Sequence, residues 1–301
     1  MAIAAAEPEL QVVPRCPLCG SERFTTAFRE PPYSVRRCDQ CGLGWVSPRR
    51  GPQDLVALYA DDAYWRSDSP KTMGYQDYRS DEELYLKTFR RRLGFALQDG
   101  PTSGAALDVG CAAGFCMAVL RARGFQVHGV EVSETIARHA IDHFGFDTVH
   151  LGTLESAPFT EDSFDLITMW DVVEHVVDPR ALLERARWLL KPGGLLVIET
   201  QDIDSPFARR LGPRWHHYKH AEHILHFTPG SLRTLLGQAG WRVQKLTHRY
   251  GGKYVSLGFI AERAGRLHPG LSAALAPLGR VQSARVYLNF MDEMVVLARP
   301  A

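Results

Sequence analysis

The chain has no apolar run approaching the ~18–20 residues that a bilayer-spanning helix requires, so an integral membrane protein is not expected. Its opening stretch, MAIAAAEPELQVVPR, has no basic start followed by a long apolar core. A secretory signal is therefore not expected, and the expected compartment is the cytoplasm. Charge of one sign is also missing: 35 Lys and Arg stand against 34 Asp and Glu. No global positive field draws such a chain to nucleic acid. The densest basic run, Arg90, Arg91 and Arg92, reads as a solvated helix face. Cysteine is scarce, at six in 301 residues, which excludes a disulfide-stapled scaffold. Internal repeats and low-complexity segments are absent.

Four of the six cysteines are nonetheless closely organised. CPLCG (16–20) and CDQCG (38–42) give C-x2-C, eighteen intervening residues, then C-x2-C. This is the spacing of a four-thiolate zinc site. The glycines after Cys19 and Cys41 permit backbone that lets N–H groups turn towards sulfur. Cys16, Cys19, Cys38 and Cys41 are therefore expected to hold a structural zinc in a ribbon over residues 16–50. Four thiolates close the coordination sphere and leave no position for a catalytic water. A ribbon of ~30 residues buries too little apolar surface to fold unaided, which makes the ion part of its fold.

The remainder divides by pattern. Residues 1–15 read as a flexible tail, and Pro48, Gly51 and Pro52 mark a boundary. A tyrosine-rich helical connector, positioned to act as a lid, is expected over 51–100. Within it Tyr78, Leu84, Tyr85, Phe89 and Leu93 fall roughly on one face. From Ala105 short apolar segments alternate with helical ones: AALDVG, QVHGVEVS, DTVHLG, FDLITMW and LLVIET. Such alternation predicts an α/β domain over 101–301, with a parallel sheet and helices on both faces. WRVQKLTH and EMVVLAR are the expected last strands, separated by a partly helical insertion at about 251–292.

In such a fold, ligands bind beyond the C-terminal ends of the strands, where the first strand meets its helix. LDVGCAAGFC (107–116) sits at that junction. Gly110 and Gly114 allow a tight turn, but the full Gly-x-Gly-x-x-Gly of a dinucleotide site is missing because Ala112 occupies its second position. Its Cβ crowds the approach of a pyrophosphate, so a cofactor without phosphate is better accommodated. Glu131, 21 residues after Gly110, is placed to accept both hydroxyls of a ribose. Asp108 ends the first strand and could reach a cationic amine. A ribose with a positively charged tail and no phosphate describes S-adenosylmethionine.

These motifs resemble the class I S-adenosylmethionine-dependent methyltransferases over roughly residues 105–250, with a Rossmann-like sheet. LDVGCAAGF is similar to the family's first motif, GVEVS to its ribose-binding strand end, FDLITMWDVVEHVVDP to its fourth strand, and LKPGGLLVIET to its turn and fifth strand. The family usually carries glycine where Ala112 stands. The resemblance implies that Asp108, Gly110, Cys111, Ala112, Gly114, Glu131 and Val132 surround the cofactor. It places Leu154 beside the adenine and Trp170 near the methyl donor. Cys111 and Cys116 then have no redox role.

The Asn/Asp-Pro-Pro-aromatic motif of methyltransferases that act on exocyclic amines is missing; the position reads WDVVEH. Five of the twelve histidines fall in WHHYKHAEHILHF (215–227), and histidine is the usual base near neutral pH. As a metal-binding cluster they have no acidic or cysteine partner placed obviously beside them. The four-cysteine ribbon combined with Glu222-His223 resembles the deoxysugar C-methyltransferases, which implies His223 as the base and Glu222 as its partner. DVVEHV with KPGG resembles the quinone-type small-molecule O-methyltransferases, in which Glu174-His175 lies near the site, making His175 the second choice. The expected activity is O- or C-methylation of a small-molecule acceptor such as a sugar or secondary metabolite. Two alternatives stand beside it. One is an RNA methyltransferase that docks through the ribbon, for which CDQCGLGWVSPRR offers a small basic face. The other is a non-catalytic S-adenosylmethionine-binding protein.

Overall fold

A computed structural model of the chain describes residues 9–65, 81–257 and 285–301. Its centre is a seven-stranded sheet: β1 (Gly104–Val109), β2 (Phe125–Glu131), β3 (Val149–Leu151), β4 (Phe164–Trp170), β5 (Leu190–Gln201), β6 (Trp241–Thr247) and β7 (Glu293–Pro300). The spatial order is β6-β7-β5-β4-β1-β2-β3. Six strands run parallel, but β7 lies antiparallel between β5 and β6. The sheet is thus the expected Rossmann-like one with helices on both faces, mixed rather than parallel only at its last strand. Strand orientation depends on long-range pairing, and the apolar run EMVVLAR reads the same in either direction.

Alternation along each strand builds a core on either face. Leu196 and Ile198 of β5 point into one cluster with Leu182, Leu183, Leu232 and Leu235, whereas Leu195 and Val197 join the other with Phe89, Leu93 and Phe115. Helices α5 (Pro179–Leu189) and α6 (Pro229–Gln238) therefore cover one face. Helices α3 (Glu82–Ala96) and α4 (Phe115–Arg121) cover the other. Helix α5 starts where Pro179 pre-sets φ and Asp178 accepts the Ala181 N–H at 3.0 Å. Each leucine it buries contributes about 1.5–3 kcal/mol.

The N-terminal hairpin pairs Phe24–Glu30 with Tyr33–Cys38, and Gly44–Val46 extends it. The next strand in that small sheet is Leu225–His226, from the histidine-rich segment. The ribbon is therefore stitched into the main domain. Trp45 is its fully buried centre, and its indole N–H donates to the Val13 carbonyl at 3.1 Å. The chain before Cys16, expected as a flexible tail, is ordered from Leu10 on: Leu10–Gln11 pairs with Arg49–Arg50, and Val13 N–H donates to Ser47. The connector forms α1 (Pro52–Ala60), α2 (Asp62–Trp65) and α3, while Tyr78 lies outside the described residues. At the edges of the expected insertion, Lys253–Ser256 and Arg285–Leu288 form a hairpin; 258–284 are outside the described residues. Among the described residues no helix is long and apolar enough to cross a membrane.

Candidate active site

The first helical crossover, through α4, carries the chain from β1 to β2; β4 lies on the other side of β1, so the sheet order reverses there. A cavity of about 480 Å³ opens at that point, walled by residues of α1, α3 and the strand ends. Asp108, Gly110, Cys111, Ala112, Glu131, Val132, Leu154 and Trp170 all line it. Gly114 does not. It starts α4 at φ 82°, and a Cβ there would meet the Ala140 Cβ at 2.7 Å, so its role is to let α4 pack closely. Gly110 and Ala112 also have positive φ, at 70° and 45°. The turn therefore asks an alanine for a conformation that favours glycine.

The Glu131 carboxylate at the end of β2 accepts the N–H groups of Ala112 and Ser133, each at 2.9 Å. Burial raises its pKa despite these bonds. Asp108 is buried and accepts the Thr168 hydroxyl at 2.6 Å; burial pushes its carboxyl up to about 7. Cys116 accepts the Trp170 indole N–H at 3.2 Å, and Cys111 sulfur lies against Gly129 of β2. The two thiols thus serve different packing contacts.

Aromatic side chains roof the cavity. Tyr64 contacts both Tyr59 and Trp65 edge-on, with ring centroids 5.0 Å apart in each pair. The Trp65 indole N–H donates to the Ser133 hydroxyl and the Tyr59 carbonyl, both at 2.9 Å. The sequence marked this segment only as tyrosine-rich, without assigning a site role to any of the three.

The far end of the cavity contains His175, Asp171, Arg92, Lys253 and Glu293. Asp171 adopts φ 53°, a conformation that costs free energy and collects at functional sites. Arg92 corrects the solvated-face reading of its basic run. It is buried, holds Glu199 through two bonds of 2.9 and 3.1 Å, and donates to the Gly251 carbonyl at 3.0 Å. Its guanidinium also lies 5.4 Å from the Trp170 ring centroid. A position within a run of three arginines carried no signal that the third turns inward.

The structure brings the three expected catalytic residues together at different depths. His175 lines the cavity, whereas His223 and Glu222 do not. His223 stands behind His175, ring centroids 4.7 Å apart and perpendicular. Burial lowers the pKa of both, most strongly for His223. The Glu222 side chain pairs with Lys219 at 2.9 Å, while its carbonyl oxygen lies 3.0 Å from His175 Nδ1. The Tyr59 hydroxyl lies 2.6 Å from the same nitrogen. Glu174 is fully buried, and burial together with the Asp171 charge raises its pKa well above the ordinary range. Ligand atoms of Glu174, His175 and His223 converge within 4.8 Å, a set able to hold a divalent cation.

At the ribbon, the sulfurs of Cys16, Cys19, Cys38 and Cys41 lie within 4.8 Å of one another. Cys16–Cys41 and Cys19–Cys38 are each 3.5 Å apart. A tetrahedral zinc with bonds of about 2.3 Å sets sulfur–sulfur edges of about 3.8 Å, so the residues fit the ion. Gly20 and Gly42 have φ 73° and 75°, and the Gln40 N–H reaches the Cys38 sulfur at 3.4 Å. The hydrogen bond from the Cys41 thiol pulls Cys16 down to about 5.

The strand order, the single antiparallel strand and the cavity at the switch point are those of the class I methyltransferase fold. A family model described as a methyltransferase domain matches residues 78–246, and the chain belongs to that family. Among curated proteins it is similar to the ubiquinone biosynthesis O-methyltransferase of Idiomarina loihiensis. That relative is 36% identical over 118 residues, which cover 36% of this chain and 48% of the relative. The protein of the same name from Pasteurella multocida is 26% identical over 202 residues, covering 56% of this chain and 83% of that one. The chain thus spans about half the length of the first relative and more of the second. Among solved structures it is similar to a chain of the Haloferax volcanii complex between the Trm112 methyltransferase activator and a methyltransferase. The TM-score is 0.51 at 16% identity, over 73% of this chain and 94% of that one, a likeness of fold.

Proposed function

We propose that the protein transfers the methyl group of S-adenosylmethionine to a hydroxyl of a small molecule, with His175 as the base. The observation that carries this reading is an imidazole in the cavity wall whose Nδ1 faces an obligate acceptor, the Glu222 carbonyl. That contact favours the tautomer with the proton on Nδ1 and leaves Nε2 basic. In that tautomer the Tyr59 hydroxyl oxygen accepts from the same N–H. Burial keeps His175 neutral at physiological pH, ready to accept a proton. The relatives named ubiquinone biosynthesis O-methyltransferase support oxygen as the acceptor atom and a small molecule as its carrier.

When bound, S-adenosylmethionine supplies a methyl group on a sulfonium, which needs the nucleophile in line. Glu131 would accept the ribose hydroxyls, Asp108 would face the cationic amine, and Leu154 would pack on the adenine. Val132 and the Gly110-Cys111-Ala112 turn would enclose the rest, with Gly114 supporting the turn from outside the cavity. The acceptor would then lie between Trp170 and His175. The aromatic roof excludes water, and positioning supplies much of the acceleration, up to about 7–11 kcal/mol in ideal cases. His223, behind His175, would act as a positioning residue, with Glu222 contributing its carbonyl. The zinc held by Cys16, Cys19, Cys38 and Cys41 would fasten the ribbon that pairs with Leu225–His226.

The test uses methyl-labelled S-adenosylmethionine and a panel of catechols, hydroxyquinols and sugars. Label is expected on an oxygen of a small molecule. His175→Ala should lower turnover about 10²–10⁴-fold with cofactor affinity unchanged. Full turnover in His175→Ala, or label found only in RNA, would overturn the proposal.

A further inference from the structure

Two adjacent histidines, His216 and His217, follow the short turn Gly212–Arg214 and meet the start of β7 at Asp292 and Glu293. The acidic partners of His216 and His217 thus arrive from the far end of the chain. His217 Nε2 lies 3.3 Å from Glu293 Oε1 and 3.9 Å from Asp292 Oδ2, and His216 Nε2 is 3.8 Å from Asp292 Oδ2. His217, Asp292 and Glu293 are 6%, 3% and 8% exposed. We infer that His216, His217 and Glu293 form a binding site for one divalent transition-metal ion, distinct from the four-cysteine ribbon.

The separations favour an ion over a shared proton. Ligands about 2.0–2.2 Å from a tetrahedral ion stand about 3.3–3.6 Å apart, and His217 and Glu293 stand 3.3 Å apart. His217 Nε2 is buried and makes no hydrogen bond even with two carboxylates beside it. One proton on that nitrogen could satisfy one oxygen, whereas an ion satisfies all the donors together. Arg92 spends its bidentate face on Glu199 and pairs with Glu293 only at Oε2, 3.4 Å away, which leaves Oε1 open to an ion. The donor atoms of His216, His217 and Glu293 fall within 4.8 Å of one another. Asp292 is already held, its Oδ2 accepting the Trp215 indole N–H at 2.8 Å, so it can orient or complete the set. The His216 side chain is 38% exposed, which gives the ion a way in.

Two imidazoles with carboxylate select manganese, iron, cobalt or zinc over magnesium and calcium. Because Glu293 also lines the cavity, the ion would lock the start of β7 to the 212–217 turn and fix the acceptor end of the site.

Mn2+ is the first probe because thiolates bind it poorly. The purified full chain is titrated and free Mn2+ is followed by electron paramagnetic resonance; Zn2+ uptake is counted by elemental mass spectrometry. One Mn2+ per chain, or one Zn2+ beyond the ribbon's, is expected. His216→Ala, which removes a half-exposed ring, and His217→Ala should each weaken that binding at least tenfold with the thermal melt retained. His175→Ala should leave it unchanged. A chain that takes neither ion overturns the inference. So does binding lost in His175→Ala but kept in His216→Ala, which would place the ion at Glu174, His175 and His223.

Discussion

Replacing Asp108 by Asn should make the free protein more stable and the cofactor complex weaker, in a pH range set by one buried carboxyl. Asp108 is 2% exposed, and burial lifts its pKa from an ordinary 3.8 to about 7. A raised carboxyl binds its proton more tightly in the fold than in the unfolded chain. The resulting stability is complete below about pH 4 and drains away as pH rises through 7. At pH 8 the ionised group costs the empty fold up to about 4 kcal/mol. Asn keeps an oxygen for the Thr168 hydroxyl and carries no charge. Asp108→Asn should therefore raise the melting temperature at pH 8, with the gain shrinking towards pH 5. A cationic amine reverses the balance, because it wants the carboxylate. Between pH 7.5 and 5.5, where an α-amino group stays charged, wild-type affinity for S-adenosylmethionine should fall by up to tenfold for each pH unit below 7. In Asp108→Asn the affinity should be lower at pH 7.5 and flat below it. Calorimetric titration of cofactor at four pH values, paired with thermal melts, measures both. An unchanged pH slope in Asp108→Asn would refute the argument and point to Glu131 as the titrating group.

Arg92→Met leaves Glu199 and Glu293 buried without their cation, and should lower unfolding free energy in urea by about 3–5 kcal/mol, less at acidic pH where the carboxyls protonate. Ala112→Gly relieves a φ of 45° and should stabilise the free protein by about 1 kcal/mol, read from the same urea curves. Cys19→Ser should release one zinc per chain and reduce turnover more than cofactor affinity, because Leu225–His226 loses its ordered neighbour while Asp108 and Glu131 do not; elemental analysis and calorimetry check the two halves.

The sheet was legible because each central strand is a short, largely apolar segment between turn residues, and because Gly110 and Glu131 mark two strand ends 21 residues apart. The cofactor side of the cavity followed from that spacing. The acceptor side did not. Which of His175 and His223 faces the cavity depends on the order of packing between two loops 48 residues apart, and no local pattern encodes depth. The inward turn of Arg92 depends on Glu199, more than a hundred residues away. The ribbon was visible from its cysteines, but its fourth strand was hidden because Leu225–His226 is only two residues long.

That short strand has a consequence for how the chain comes to be folded. The ribbon is made first, yet its outer edge, Gly44–Val46, finds Leu225–His226 only after about 180 more residues have been added. During synthesis the four thiols and an open strand edge wait for a partner not yet made. A shortened chain that begins after the ribbon would suffer the converse, releasing Leu225–His226 with nothing to pair against. The two parts cannot be separated or exchanged as modules, and a graft of this ribbon onto another methyltransferase would need to carry the histidine segment with it.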